Sequence, residues 1–383
     1  MLLGFGQEFV CKVDRSRKSM FQTVNLGGFR GVSLGFGNVL IRSGLPKVLI
    51  STLIQAKCEE NIQYKLLRTP NDAYWNELKP IYDSVEVTKF LNTRGLRRIY
   101  VAVLDTGVDF LHEDMQGKVD LGLAFNAYNF VNELDPEEIY DSEGHGTHVS
   151  GIIAARGYNQ LGTIGVAQNA TVIPIKVDNP DGQIELAAVV AGYAYIALLV
   201  DLGFPIRVVN ASFGGPVHSE IEEEALRELL SRNIIFVASA GNFSSNNDIS
   251  PIYPASHNLP NLISVASAFY DRKTKSGRIS DFSNFGSSVE IAAPGENILS
   301  AFPPNSYSFM SGTSMAAPIV TGALTLYLGF KPKDKASKAV KNLLSACTRV
   351  DLFKAHINNG CYLNVRKLVD KAKNQSKRKK KRS

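Results

Sequence analysis

Gly312-Thr313-Ser314-Met315-Ala316-Ala317-Pro318 sets a serine among small residues where an apolar, helix-forming run begins. Gly312 and Thr313 predict a turn, and Met315 to Leu328 predicts a helix. A hydroxyl at that junction lies near the positive end of the helix dipole, in a crowded place that only small neighbours permit. By itself the serine reads equally well as a helix cap. Its meaning depends on what the rest of the chain supplies.

A serine is a poor nucleophile at neutral pH. It needs a base to take its proton, and the base needs a third group that fixes its tautomer and stabilises its charge. Upstream, Val101-Ala-Val-Leu104 reads as a buried parallel strand, with Asp105 at its carboxyl end. In open α/β sheets that end gathers ligands and catalytic groups. Then Asp141-Ser-Glu-Gly-His145-Gly-Thr-His148 opens a small-residue helix. A metal reading of His145 and His148 is weak. The zinc-protease helix has histidines four apart with a glutamate after the first, and here Gly146 follows His145. The flanking glycines let the backbone pass close to a substrate and leave His145 open to it.

Asp105, His145 and Ser314 thus supply orienting acid, base and nucleophile in the order Asp, His, Ser. That order differs from those of the chymotrypsin and α/β-hydrolase folds. The G-x-S-x-G elbow is also missing, because Ala316 stands where its last glycine belongs. A fourth element, Ile234-Ile-Phe-Val-Ala-Ser-Ala-Gly241-Asn242, is an apolar strand ending in an asparagine whose amide can donate to a developing oxyanion.

Together these segments resemble the subtilisin-like serine proteases. VAVLDTGVD (101–109), GHGTHVSG (144–151), ASFGGP (211–216), ASAGN (238–242) and GTSMAAP (312–318) stand in that family's order. The resemblance covers about residues 69 to 370. It implies a triad of Asp105, His145 and Ser314, with Asn242 as the oxyanion asparagine. It also implies that Ser212, Phe213, Gly214 and Gly215 pair with an extended substrate, which agrees with peptide recognition by strand addition to an exposed edge. Ala240 and Gly241 would line the specificity pocket and Ile252 would form its base. An isoleucine there predicts small or medium apolar side chains before the cut bond. Phe243 is bulkier than the family leads one to expect.

Composition fits that picture. Apolar content is 44% and charged content 20%, ordinary for a globular enzyme. No apolar run suggests a membrane span. The longest candidate, Leu186 to Leu202, carries two tyrosines and Gly192 and reads as a core helix. The six basic residues of Lys377 to Arg382 account for the whole net charge of +6. They predict a disordered tail over 374–383, either solvated or touching anionic surfaces, and no nucleic-acid partner is expected. Four cysteines, Cys11, Cys58, Cys347 and Cys361, permit two disulfides in any of three pairings, or free buried thiols. Met1-Leu-Leu-Gly-Phe-Gly lacks a basic segment followed by an apolar core, so no signal peptide is expected at this start. The resemblance itself favours a secreted or cell-surface enzyme.

Residues 1–68 read differently from the rest. Glu8 to Val13, Gly35 to Arg42 and Cys58 to Leu66 predict strands, and Lys47 to Ala56 a helix. This small α+β unit resembles the inhibitory propeptide of subtilisin-like zymogens, which implies a chain inhibited by its own N-terminal domain. Thr69-Pro-Asn-Asp72 reads as an exposed linker, with a cut near Leu66 to Thr69 releasing the catalytic domain 69–373. Beyond Tyr100, apolar strands alternate with helices, which predicts an α/β fold: a parallel sheet covered by helices on both faces. Asp72, Asp114 and Asn159 resemble the ligands of the family's calcium site, whose oxygen donors suit Ca²⁺. The alternative, three unrelated surface residues, stays open. The sequence therefore predicts a monomeric serine endopeptidase acting on polypeptides and made as a self-processing zymogen. The rivals are a non-enzymatic binding protein and an esterase or transacylase.

Overall fold

The computed structural model describes residues 7–12, 30–35, 38–43, 57–60, 69–130 and 136–380. The chain divides into two compact units, residues 1–68 and 69–383. In the first, β1 (Gln7–Lys12), β2 (Arg30–Gly35), β3 (Asn38–Ser43) and β4 (Lys57–Glu60) form one sheet in the order β2-β3-β1-β4. β1 pairs antiparallel with β3 and with β4, a register that sets Cys11 opposite Cys58. The predicted helix over 47–56 lies outside the described residues.

The second unit is built on β5 (Ile99–Asp105), β6 (Phe125–Asn126), β7 (Ala170–Lys176), β8 (Ile206–Ala211), β9 (Ile235–Ser239), β10 (Leu262–Asp271), β11 (Ser276–Ile279) and β12 (Ile291–Ala293). A hairpin, β13 (Ile298–Phe302) with β14 (Ser306–Met310), stands apart, and β15 (Thr348–Arg349) and β16 (Cys361–Tyr362) complete the sheet. Its order is β15-β16-β12-β10-β9-β8-β5-β7-β6, with β11 hung on β10. The pairs from β16 to β6 are parallel, whereas β11 and β15 pair antiparallel.

Parallel strands buried on both faces send successive side chains to opposite cores. In β5, Val101 and Val103 enter one core while Ala102 and Leu104 enter the other. β9 repeats this, with Ile235 and Val237 against Phe236 and Ala238. The helices His145–Ala154 and Thr313–Phe330 supply Val149, Ile152, Leu324 and Leu328 to the first core. Leu186–Asp201 and Glu220–Ser231 supply Tyr193, Ile196, Leu226 and Leu229 to the second.

Several features differ from the sequence expectation. Thr69 to Trp75 is not a fully exposed linker: Pro70, Asp72 and Trp75 are buried, and Trp75 opens the helix Trp75–Ser84. Thr313–Phe330 has the length and mean hydropathy (1.3) of a membrane span, which the sequence reading assigned to no segment, yet 89% of it is buried. It is the core helix of a folded unit, packed against the strands β8, β9 and β10. The last helix, Val365–Lys380, carries helical backbone into the basic run where a disordered tail was expected from 374. Its first turns are anchored by buried Leu368, Val369 and Ala372. Cys347 and Cys361 form a disulfide with Cα atoms 5.5 Å apart, which decides one of the open pairings.

Candidate active site

Asp105 is the last residue of β5, between β7 and β8, and is 2% exposed. His145 is the first residue of its helix. Gly146 lets that helix start against β5: a Cβ there would lie 2.3 Å from the Gly107 carbonyl and 3.1 Å from the Asp105 Cβ. His145 Nδ1 accordingly lies 2.6 Å from Asp105 Oδ1. Burial pulls the His145 pKa down, but the charge and hydrogen bond of Asp105, helped by Asp141, outweigh it and hold it above the ordinary value. Asp105 Oδ2 is buried with no partner among the described residues.

Asp141 stands four residues before His145 in the sequence, with no role expected of it. Its side chain is fully buried. It accepts from the Gly144 and Thr147 N–H groups and from the hydroxyls of Thr106 and Thr147, at 2.7–2.8 Å. Thr106 Oγ1 in turn accepts from Gly146 N–H at 2.8 Å. Asp141 therefore caps the histidine helix and fixes it to the end of β5. No local sequence signal marks this role, because the cap residue of the helix is Gly144 and Asp141 reaches its first turn from outside the cap position. His148 is a different case. Its Nε2 lies 3.0 Å from the carbonyls of Ile298 and Ser308, and burial drives its pKa down to about 4. It ties the hairpin to the helix and takes no part in the site.

Ser314 lies in the first turn of Thr313–Phe330, 8% exposed. Its hydroxyl donates to the Ser212 carbonyl at 3.0 Å, and Ser212 Oγ donates to the Ser314 carbonyl at 3.1 Å. No hydrogen bond joins Ser314 to His145 among the described residues. Asn242 Oδ1 accepts from Thr313 N–H at 2.8 Å and from the Thr313 hydroxyl at 2.9 Å. A backbone N–H can only donate, so the facing atom is oxygen and the amide Nδ2 points the other way. A Cβ built on Gly312 would stand 3.3 Å from that Nδ2 and 3.6 Å from the Ser314 nitrogen, so glycine keeps open a space between two donors. Buried Asn284 and Asn247, which the sequence reading passed over, brace this loop. Asn284 Oδ1 accepts from Phe243 N–H, and Asn247 Nδ2 donates to the Ala240 carbonyl.

The segment after β8 carries Ser212, Phe213, Gly214 and Gly215. It joins the Tyr253 segment through reciprocal bonds between Gly215 and Tyr253 at 2.8 and 2.9 Å. Ile252, 5% exposed, fills the space between the two glycine segments. A Cβ on Gly214 would meet its Cγ2 at 2.7 Å, and one on Gly241 its Cγ1 at 3.3 Å. Beside Phe213 to Val217 opens a cleft of about 470 Å³, lined also by Ile184, Leu186 and Tyr253. Phe243 is an exposed surface residue.

Asp72, Asp114 and Asn159 converge. Asn159 N–H donates to Asp72 Oδ1 at 3.4 Å, and its Nδ2 donates to Asp114 Oδ1 at 3.0 Å. Asp72 Oδ2 is buried with no partner among the described residues. Burial, with a smaller push from the Asp114 charge, raises the Asp72 pKa to about 6 against the pull of backbone N–H groups. A buried orphan carboxylate oxygen beside a second carboxylate fits a hard cation, whereas Asn159 turns N–H groups to both carboxylates and its Oδ1 accepts from Leu161 N–H, so it would have to turn to serve as a ligand.

Comparison with known proteins gives one answer. The sequence pattern of the subtilase family matches residues 97–368. The chain is 34% identical to the thermophilic serine proteinase of Bacillus sp. (strain AK1), over 76% of this chain and 67% of that protein. It is 36% identical to the intracellular serine protease of Paenibacillus polymyxa, over 69% and 76% respectively. A cold adapted subtilisin-like serine proteinase of known crystal structure superposes with a TM-score of 0.59 at 28% identity, covering 70% of this chain and 89% of that one. The chain belongs to the subtilase family and is a serine-type endopeptidase.

Proposed function

We propose that Ser314, His145 and Asp105 carry out the peptide cleavage and that Asn242 with the Ser314 N–H holds the oxyanion. The observation that carries this reading is the 2.6 Å contact of His145 with Asp105 at the carboxyl end of β5. On substrate binding the Ser314 hydroxyl turns from the Ser212 carbonyl to His145, loses its proton there and attacks the scissile carbonyl. His145 then delivers that proton to the leaving amine, and water repeats the cycle to free the acyl group. Asp105 holds the tautomer and offsets the imidazolium charge. The carbonyl oxygen becomes negative in the space beside Gly312, facing Asn242 Nδ2.

The substrate lies extended along Ser212 to Gly215, with Ile252 under the side chain before the cut bond and the cleft beside Phe213 taking an apolar residue further upstream. Ile252 makes the first of these pockets shallow, which favours small or medium apolar side chains. Asp72, Asp114 and Asn159 would hold a structural Ca²⁺ that offsets the two buried carboxylates. Residues 1–68 act as an inhibitory propeptide, removed by Ser314 itself near Leu66 to Thr69.

The test is the intact mass of the purified chain beside Ser314→Ala after incubation with calcium. A loss of about 7–8 kDa, from roughly 0.11 kDa per residue, in the wild type alone is expected. Unchanged mass in both, with no cleavage of added polypeptide, overturns the reading.

A further inference from the structure

A second cluster of chemistry-bearing side chains lies away from the Ser314 region. His218 Nε2 is 3.1 Å from Glu223 Oε2, and His257 Nδ1 is 3.7 Å from the same oxygen. The three ligand atoms all fall within 4.8 Å of one another. Bonds of about 2.0–2.1 Å in a tetrahedral zinc site put neighbouring donor atoms about 3.3–3.4 Å apart, so the cluster needs only small side-chain adjustments to close on an ion.

The surroundings favour a cation. The His257 side chain is 1% exposed, and its other nitrogen, Nε2, lies 3.2 Å from Glu222 Oε2. Glu222 is itself buried and accepts from the Tyr193 hydroxyl at 3.4 Å. A neutral His257 that donates Nε2–H to Glu222 turns the lone pair of Nδ1 towards Glu223 and His218. In the metal-free cluster Glu223 Oε2 accepts from His218 Nε2 at 3.1 Å while its other oxygen pairs with Arg227, so a cation here takes the place of the His218 proton. A carboxylate fixing the far nitrogen of a ligand histidine is the arrangement that orients imidazoles in metal sites.

The geometry points to a divalent transition-metal site formed by His218, Glu223 and His257, with water as fourth ligand. Two imidazoles and one carboxylate select Zn²⁺ over a hard ion such as Ca²⁺. The site joins three pieces of chain. His218 follows the Ser212–Gly215 segment, Glu223 lies in the first turn of Glu220–Ser231, and His257 closes the turn that starts at Ile252 and Tyr253. Bound zinc would clip the wall of the 470 Å³ cleft, where Ser219, Glu222 and Tyr253 line it, to the segment beneath it. It would stabilise the folded unit by mass action.

The experiment uses the full-length Ser314→Ala chain, which does not digest itself, stripped by chelator and then held in excess Ca²⁺. Zn²⁺ is titrated by calorimetry and by thermal unfolding, with Co²⁺ absorption as a probe of tetrahedral geometry. One equivalent is expected, with a rise in Tm. The same chain carrying His218→Ala or Glu223→Gln should fold and bind at least roughly tenfold more weakly. Glu222→Gln should weaken binding while keeping the stoichiometry. No zinc-dependent rise in Tm, or binding unchanged by both His218→Ala and Glu223→Gln, overturns the site. The readout is binding alone, so its failure leaves the peptidase reading untouched.

Discussion

Ser212 and Ser314 exchange two hydrogen bonds, each hydroxyl donating to the other residue's carbonyl, at 3.1 and 3.0 Å. The proposed nucleophile is thereby tied to the segment on which substrate is expected to lie. Ser212 Oγ also accepts from Asn210 Nδ2 at 2.9 Å, so removing it orphans a buried amide as well. Ser212→Ala should lower kcat about 2- to 10-fold, the equivalent of a net hydrogen bond of roughly 0.5–1.5 kcal/mol, and should lower Tm. Steady-state kinetics beside a melting curve checks both, and an unaltered kcat would mean that the pair does not position Ser314.

The acid limb of the activity profile should report His145. The general base must be neutral, and Asp105 and Asp141 hold its pKa above the ordinary histidine value of about 6.5. Activity therefore rises with pH through a midpoint above that value. Asp105→Asn should move the midpoint down and cut kcat by about 10⁴-fold, the loss seen on the chymotrypsin fold for the equivalent change. For stability the sign is opposite. A raised histidine pKa contributes fully below the unfolded value and is lost as pH rises through the folded one. A kcat/KM profile whose midpoint stays put in Asp105→Asn contradicts this account.

Asn242 Oδ1 accepts twice from Thr313, and among the described residues its Nδ2 makes no hydrogen bond. Asn242→Ala should reduce kcat by roughly 10²- to 10³-fold with little change in KM, a magnitude known from a subtilisin and carried over rather than derived for this chain. Equal losses in kcat and in ground-state binding would assign Asn242 to substrate contact instead.

Asp72 gives a calcium prediction with a definite sign. Its folded pKa, raised to about 6, means the folded state holds that proton more tightly than the unfolded chain does. The associated stability is present below the unfolded value near 3.9 and is lost as pH rises through about 6. In chelator, Tm of the Ser314→Ala chain should therefore fall between about pH 4 and about pH 6, and level off above, relative to the same chain with Asp72→Asn. Excess Ca²⁺ should flatten that difference, because a cation then offsets the carboxylate in place of a proton. A full calcium response in Asp72→Asn would place the ion elsewhere.

The strands that position the site were legible because their residues are apolar on both faces. Val101 to Leu104 and Ile234 to Ser239 have no other place to go than a doubly covered sheet. The Asp105, His145, Asn242 and Ser314 motifs were legible because each combines a reactive side chain with the glycines that let backbones approach. What escaped depends on long-range contact. Asp141 reads as one more acid in an acidic stretch until its five donors surround it. Asn247 and Asn284 stand in no motif, although they are bonded to each other in the interior. The hairpin β13–β14 shows polar–apolar alternation only over Ser306 to Phe309, and His148 and Tyr74 are among the partners that hold it. His218 and His257 are 39 positions apart in sequence, and the Gly215–Tyr253 pairing is among the contacts that bring their segments together.

The strand that delivers Asp105 also divides its other side chains between two cores. Sliding β5 by one residue past its neighbours would exchange Val103 for Leu104 and turn the carboxylate away from His145 in the same movement. Catalysis and correct threading of the sheet are thus one event. On the proposed self-cleavage, a misthreaded copy would lack the means to release itself, and release would act as proofreading of the fold.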